Sequence, residues 1–278
     1  MGFKEKFNNF GRKAENIAIF NKAMKVIDSS EVLKKATEES IEKSFLFDVK
    51  DWSEPKERSG GITIEVTPES SFHAALRIRK ANREKKIAVL NFASAKNPGG
   101  MVKAGSSAQE ECLCRVSNLY RVLSDKKFSE HYKNGTKGDD KYLYIDECIY
   151  SPDIEVILDL DTSEILETPW SVDVITAAFP NLRHYSDKKI QEMDEVLDEV
   201  YNIRIENVFQ AAAKEGVDVL ILGAWGCGVF RNDPEKVAKA FERVQKKYLG
   251  IFNMIIYPVF CRNVDEDVNF QAFAKILG

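Results

Sequence analysis

Histidine and cysteine are sparse. The three histidines, His73, His131 and His184, lie far apart in 278 residues, so ligand spacing offers no metal site. The five cysteines, Cys112, Cys114, Cys148, Cys227 and Cys261, are odd in number and include no C-x-x-C pair. They read as reduced thiols that pack as small apolar groups. No apolar run approaches the length of a membrane span. The opening residues, Met1-Gly2-Phe3-Lys4-Glu5-Lys6, lack the apolar region of a secretory signal, and Gly2 is a poor match to a myristoylation site. A cytoplasmic protein is expected from these absences. Excess charge of one sign is missing too. With a net charge of −4 the surface is not that of a general nucleic-acid binder, so any phosphate recognition must be local. Neither Gly-Lys-Ser/Thr nor G-x-G-x-x-G occurs, which leaves a Walker site and a dinucleotide fingerprint unsupported. There is no internal repeat and no low-complexity tract.

What remains is an ordinary globular composition, 44% hydrophobic and 30% charged, in a chain with ample core for one large domain or two small ones. Residues 1–50 read as helical: Ile17, Phe20, Met24 and Ile27 recur at helical spacing. Asp28 would cap a second helical pattern running through Ser44, with Glu31 completing a capping box. Val49 to Gly61 is polar, holds Pro55 and Gly60, and reads as a connection. Strands are expected at Ile62–Val66, Ile87–Ala93, Tyr142–Ile145, Ile154–Ile157, Val172–Ala178, Val217–Leu222 and Met254–Phe260. Helical patterns cover Ser70–Ala81, Leu113–Leu123, Ser186–Lys214, Pro234–Tyr248 and the C-terminus from Val268. Ser124 to Lys141 reads as a long surface loop. Strands alternating with helices argue an α/β sandwich with much parallel pairing.

Two of the expected strands run into glycine-bearing loops. The first is Asn97-Pro98-Gly99-Gly100-Met101, which leads to a helix opening with Gln109-Glu110-Glu111. The second is Gly223-Ala224-Trp225-Gly226-Cys227-Gly228-Val229-Phe230-Arg231-Asn232, followed by Asp233 as helix cap and Pro234 as first helical residue. Ligands in open α/β sheets sit beyond the carboxyl ends of strands, where such loops bring N–H groups to phosphates. Either loop alone reads as a tight turn; the pair favours a diphosphate cleft. Glu110 has a plain alternative, because Ser107-Ala108-Gln109-Glu110 fits a capping box that needs no chemistry. Glu111 is not explained that way. Neighbouring helical residues point about 100° apart, so one carboxylate can cap while the other faces a cleft. A carboxyl group between apolar walls and a second carboxylate would hold its proton more tightly and could act as an acid. Trp225 and Cys227 read as packing residues, Arg231 as solvated, and Phe230 as a ring that could stack on a ribose or base.

Asn97-Pro98-Gly99-Gly100, Met101, a spacer, then Gln109-Glu110-Glu111 resembles the signature of microbial-type poly(ADP-ribose) glycohydrolases. The second loop, Ile149-Tyr150-Ser151-Pro152 and Val172–Ala178 also look like family segments, in the right order. The resemblance runs from about Arg12 onward. It implies a three-layer α/β/α macrodomain with a mixed central sheet, residues 59–278, and a helical extension, residues 1–58, packed on it. It implies hydrolysis of the ribose–ribose O-glycosidic bond of poly(ADP-ribose), or action on another ADP-ribosylated macromolecule, with ADP-ribose as product and no cofactor or metal. Glu111 would be the acid/base, and Glu110 and Gln109 would position ribose hydroxyls. Asn97, Pro98, Gly99, Gly100 and Met101, with Gly226, Cys227, Gly228, Val229 and Phe230, would hold the diphosphate and distal ribose.

Met101 departs from the pattern, which has a third glycine there. A Cβ and thioether at that position could block close approach of the backbone to the ligand. Two alternatives follow, a hydrolase of mono-ADP-ribosylated protein or nucleic acid and a non-catalytic ADP-ribose reader.

Overall fold

The computed structural model describes residues 3–48, 61–137 and 140–278, with side chains from Gly11 onward. The chain begins with two helices, α1 (Phe3–Ser29) and α2 (Glu31–Lys43), then a short strand β1 (Phe45–Phe47). There follow β2 (Thr63–Thr67), α3 (Ser71–Ala81), β3 (Ile87–Phe92), α4 (Gln109–Val116), α5 (Leu119–Leu123) and α6 (Ser129–Asn134). Two long strands, β4 (Cys148–Leu158) and β5 (Ile165–Ala177), lead to α7 (Asp187–Glu192) and α8 (Asp194–Lys214). The chain closes with β6 (Val219–Ile221), α9 (Pro234–Gln245), β7 (Met254–Pro258) and α10 (Val268–Leu277).

All seven strands form one sheet in the order β1-β4-β5-β3-β6-β7-β2. The β5, β3, β6, β7 and β2 strands pair in parallel, and β4 runs against both its neighbours, so the sheet is mixed. Side chains alternate across it, as the two-residue period of a strand requires. Ala88 and Leu90 of β3 enter one core with Phe209 of α8, Phe241 of α9 and Phe273 of α10. Ile87 and Val89 of the same strand enter a second core with Phe20 of α1, Leu33 of α2, Phe72 of α3 and Leu113 of α4. Helices therefore cover both faces, giving three layers. Among the described residues no helix is long and apolar enough to cross a membrane.

This wiring creates the cleft. β3 and β6 are parallel neighbours, but β3 leads to α4 on one face and β6 leads to α9 on the other. Loops that diverge to opposite faces leave a crevice at the carboxyl ends of the two strands. Both glycine-bearing loops open there.

Several expectations are corrected. Ser30, not Asp28, caps α2, its hydroxyl accepting from Leu33 N. Ser124–Lys141 contains α6 and a short 3-10 turn at Lys126–Phe128, because Phe128 and Tyr132 are buried in the second core. Tyr142–Ile145 is a turn, not a strand; Tyr144 sits at φ 66, outside any strand conformation. The helix of Leu113–Leu123 breaks at Ser117–Asn118, where Ser117 bridges to Val156 instead. Ser186–Lys214 breaks at Met193. The connection at Val49–Gly61 lies outside the described residues except for Gly61.

α1 packs on the turn that follows the first glycine loop. Asn16 Nδ2 donates to Gly105 O at 2.9 Å, buried. Gly105 has φ 74, and a Cβ there would overlap the Lys13 carbonyl. Gly105→Ala is expected to cost about 1–3 kcal/mol, since neither backbone can yield without unseating α1. Urea unfolding measures it, and an unshifted midpoint would mean that the contact is soft.

Candidate active site

The first loop and the start of α4 meet at the end of β3. Asn97–Gly100 is a tight turn, with Gly100 N donating to Asn97 O at 2.9 Å. Gly100 has φ 59, and a Cβ on it would lie 2.5 Å from Glu111 Oε1 and 2.9 Å from Glu110 Oε2. The residue must be glycine because the backbone runs directly over both carboxylates. One residue on, Met101 N donates to Glu111 Oε1 at 2.9 Å. Met101 has φ −108, which any side chain adopts, so glycine's freedom is not used there. Its thioether is exposed.

Glu110 and Glu111 are both buried, at 3% and 7% exposure. Glu110 does not cap its own helix. Ala108 occupies the cap position without a side-chain bond, and Glu110 turns back to the segment just past β3, where Oε2 accepts from Ser94 N at 2.7 Å. Asn91 Nδ2 points at its other oxygen at 3.4 Å and at Thr176 Oγ1 at 3.2 Å. The capping-box reading fails because the segment just past β3 offers Glu110 the Ser94 N–H, and Glu110 turns to it instead of to its own helix start. Burial, reinforced by the neighbouring Glu111 charge, pushes the Glu110 carboxyl up to about 8, against the pull of the Ser94 N–H.

Glu111 has one oxygen fixed and one open. Oε1 is held by Met101 N, while Oε2 is buried and meets no donor among the described residues. Gln109 is engaged at both ends: Oε1 accepts from Phe92 N at 2.9 Å, and Nε2 donates to Leu90 O at 2.8 Å and Ser71 Oγ at 3.1 Å. Its amide ties α4 to β3 and α3, so it braces the site instead of presenting a free group to a ribose.

The second loop stands on the neighbouring strand. Asn232 shapes it, with Nδ2 donating to Gly226 O at 2.9 Å and Pro180 O at 2.8 Å while Oδ1 accepts from Tyr201 Oη at 2.6 Å. Trp225 is buried and packs on Phe179, ring centroids 4.3 Å apart. Cys227 leans on Trp225 O, and burial raises its thiol far above the usual range, which suits packing and not nucleophilic attack. Gly228 and Val229 are exposed and Phe230 is half-buried. Among the described residues, the N–H groups of Gly228, Val229 and Phe230 make no backbone hydrogen bond within the protein. Arg231 pairs with Asp187 at 2.8 Å at the surface. No cluster of His, Cys, Asp or Glu among the described residues could hold a metal ion.

Both loops and the carboxylates thus share one end of the sheet. Asn97 is exposed and Pro98 half-buried in the turn, and among the described residues neither side chain bonds the carboxylates. Sequence reading passed over Asn91, Ser94 and Asn181. Asn91 left a visible signal, a polar residue inside an otherwise apolar strand; Ser94 acts through its backbone and left none.

Folding takes up a proton at Glu110 wherever the pH lies between its ordinary 4.5 and about 8. Its contribution to stability is therefore complete below pH 4.5 and is lost as the pH rises through about 8. Glu110→Gln, which cannot ionise, is expected to gain on the wild type in unfolding free energy across that window. Urea titrations at several pH values test this; a constant difference would mean that Glu110 is ionised in the fold.

The family model for the catalytic domain of microbial-type PARG matches residues 14–159. The poly(ADP-ribose) glycohydrolase (PARG) of Thermomonospora curvata is similar over 94% of this chain and 99% of its own, at 30% identity and a TM-score of 0.83. Its complex with the inhibitor ADP-HPD is similar over the same shares, 94% and 99%, at 30% identity and a TM-score of 0.81. The PARG of Deinococcus radiodurans, in complex with ADP-ribose, is 33% identical over 87% of this chain and 96% of its own, with a TM-score of 0.76. No curated protein sequence matches the chain. A catalytic-domain match over half the chain, together with these relatives, means that the chain belongs to the microbial-type poly(ADP-ribose) glycohydrolase family.

Proposed function

We propose that Glu111 is the acid/base with which this poly(ADP-ribose) glycohydrolase cleaves the ribose–ribose O-glycosidic bond to release ADP-ribose. The observation that carries the assignment is the asymmetry of its carboxyl group. A buried oxygen without a donor is costly and is kept where a ligand group completes it. Met101 N fixes Oε1 and leaves Oε2 as the reacting atom. From there Glu111 gives a proton to the departing ribose oxygen as the C–O bond breaks toward an oxocarbenium-like centre. The resulting carboxylate then takes a proton from water, whose oxygen bonds the anomeric carbon, and the acid is restored.

Glu110 serves as a neutral partner at pH 7. Burial and the neighbouring Glu111 charge push its carboxyl up to about 8, so it keeps its proton there. Held by Ser94 N and Asn91, its carboxyl is a rigid hydrogen-bond group for a ribose hydroxyl. Gln109 is assigned to bracing β3 against α4. The diphosphate falls to the second loop, where the uncommitted N–H groups of Gly228, Val229 and Phe230 can converge on anionic oxygens. The ADP-ribose complex of the D. radiodurans relative supports that ligand class. The N-terminal helices support the first loop, with α1 seating the turn beyond Met101 through Asn16, while β1 already belongs to the central sheet. Met101 leaves the loop backbone unstrained and supplies its N–H to Glu111, which favours turnover over a reader that only binds.

Glu111→Gln is expected to lower ADP-ribose release from poly(ADP-ribose) by about 10²–10⁴-fold, the usual contribution of a general acid/base, while ADP-ribose binding is kept. Release assays beside calorimetry check it, and wild-type turnover in the variant would overturn the role.

A further inference from the structure

The turn before β4 carries a backbone strain that the hydrophobic core does not use. Tyr144 has φ 66, the left-handed region, which a bulky aromatic residue rarely adopts. Its ring belongs to neither hydrophobic core, although Leu143 beside it packs against one. The ring lies instead against Phe230 of the second glycine loop, centroids 6.3 Å apart at 60°.

The protein commits several polar groups to holding this one residue. Arg204 of α8 is 1% exposed, and its Nη2 donates to Leu143 O at 2.8 Å and Tyr144 O at 3.3 Å. The same guanidinium reaches Ala178 O at 2.7 Å and Asp146 Oδ1 at 2.9 Å, which locks the turn to the end of β5. Asn181 N donates to Tyr142 O at 2.9 Å, and Asn181 Nδ2 donates to Tyr144 Oη at 3.0 Å. Leu182 N in turn donates to Phe230 O at 2.8 Å, so the same short segment fixes both rings. Backbone strain that surrounding groups over-determine marks functional sites more often than structural ones. A buried guanidinium spent on backbone carbonyls sets position, because its planar fork fixes several acceptors at once.

We propose that Tyr144 is a ligand-contacting wall of the cleft, its ring set beside Phe230 to take the face of a ring of the bound ADP-ribosyl group. The proposal rests on the functional reading above. Arg204 and Asn181 are positioning residues that act through it. The hydroxyl accepts from Asn181, which fixes the ring's orientation, and the contact is assigned to the face of the ring.

Strain and ring can be separated by substitution. Tyr144→Gly removes the ring and relieves the left-handed backbone, a gain that offsets the lost bond to Asn181, so the melting temperature is expected to stay within a few degrees of wild type. It is expected to bind ADP-ribose about tenfold more weakly, in the range of one lost aromatic stacking contact, with KM for poly(ADP-ribose) rising more than kcat falls. Tyr144→Phe keeps the ring and is expected to bind within about threefold of wild type. Calorimetry with ADP-ribose, thermal melts and release assays on the full chain read all three. Unchanged binding in Tyr144→Gly would overturn the proposal. So would a loss of affinity that only follows a loss of melting temperature, or a loss in Tyr144→Phe as large as in Tyr144→Gly. Wild-type protein that neither binds ADP-ribose nor releases it from the polymer would instead refute the functional reading itself.

Discussion

The hydrogen bond from Met101 N to Glu111 Oε1, at 2.9 Å, ties together everything else in the site. It forms only if the loop backbone passes directly over the carboxylates, which is why Gly100 carries no side chain and takes a left-handed φ. It also needs both partners held. On the helix side, Gln109 pins the first turn of α4 to β3 and α3. On the loop side, Asn16 and the close approach of Gly105 to Lys13 seat the following turn on α1. Preorganisation of this kind is what lets a carboxyl group react without first being oriented.

The electrostatics of the pair follow from the same packing. Two carboxyl groups at 3% and 7% exposure would repel strongly if both were ionised. The fold relieves this by raising Glu110 to about 8, despite its bond from Ser94 N. Of the two carboxyl groups, Glu111 is then the one with a buried oxygen that no described residue bonds. Adjacent positions in sequence thus acquire different jobs through different backbone partners, Ser94 for one and Met101 for the other.

The opposite wall is built on another principle. The glycine loop after β6 is braced by Asn232 and by Trp225 packed on Phe179, while its tip keeps exposed N–H groups. Arg204, buried in α8, gathers carbonyls from the segments beside that loop. A rigid frame behind a short uncommitted backbone suits an anion, whose oxygens need converging donors more than they need lysine or arginine charges.

The sequence by itself determined the elements and the chemical inventory. Short apolar runs marked β3, β6 and β7, and Asp233-Pro234 marked the start of α9, because strand-length apolar runs and helix capping are local signals. The spacing of Gly99 and Gly100 from Gln109, Glu110 and Glu111 carried the family resemblance. The exceptions were also local ambiguities: Tyr142–Ile145 has the aromatic and aliphatic composition of a strand but is held as a turn by Arg204, 60 residues from Tyr144 along the chain. Only tertiary structure decided how each carboxylate is held. Whether Glu110 caps its helix or turns to Ser94, whether Gln109 is free or spent, and which Glu111 oxygen stays open all depend on backbone groups brought in by β3 and the glycine loop. No local pattern encodes those contacts, since they exist only once β3 and β6 lie side by side and their helices depart to opposite faces.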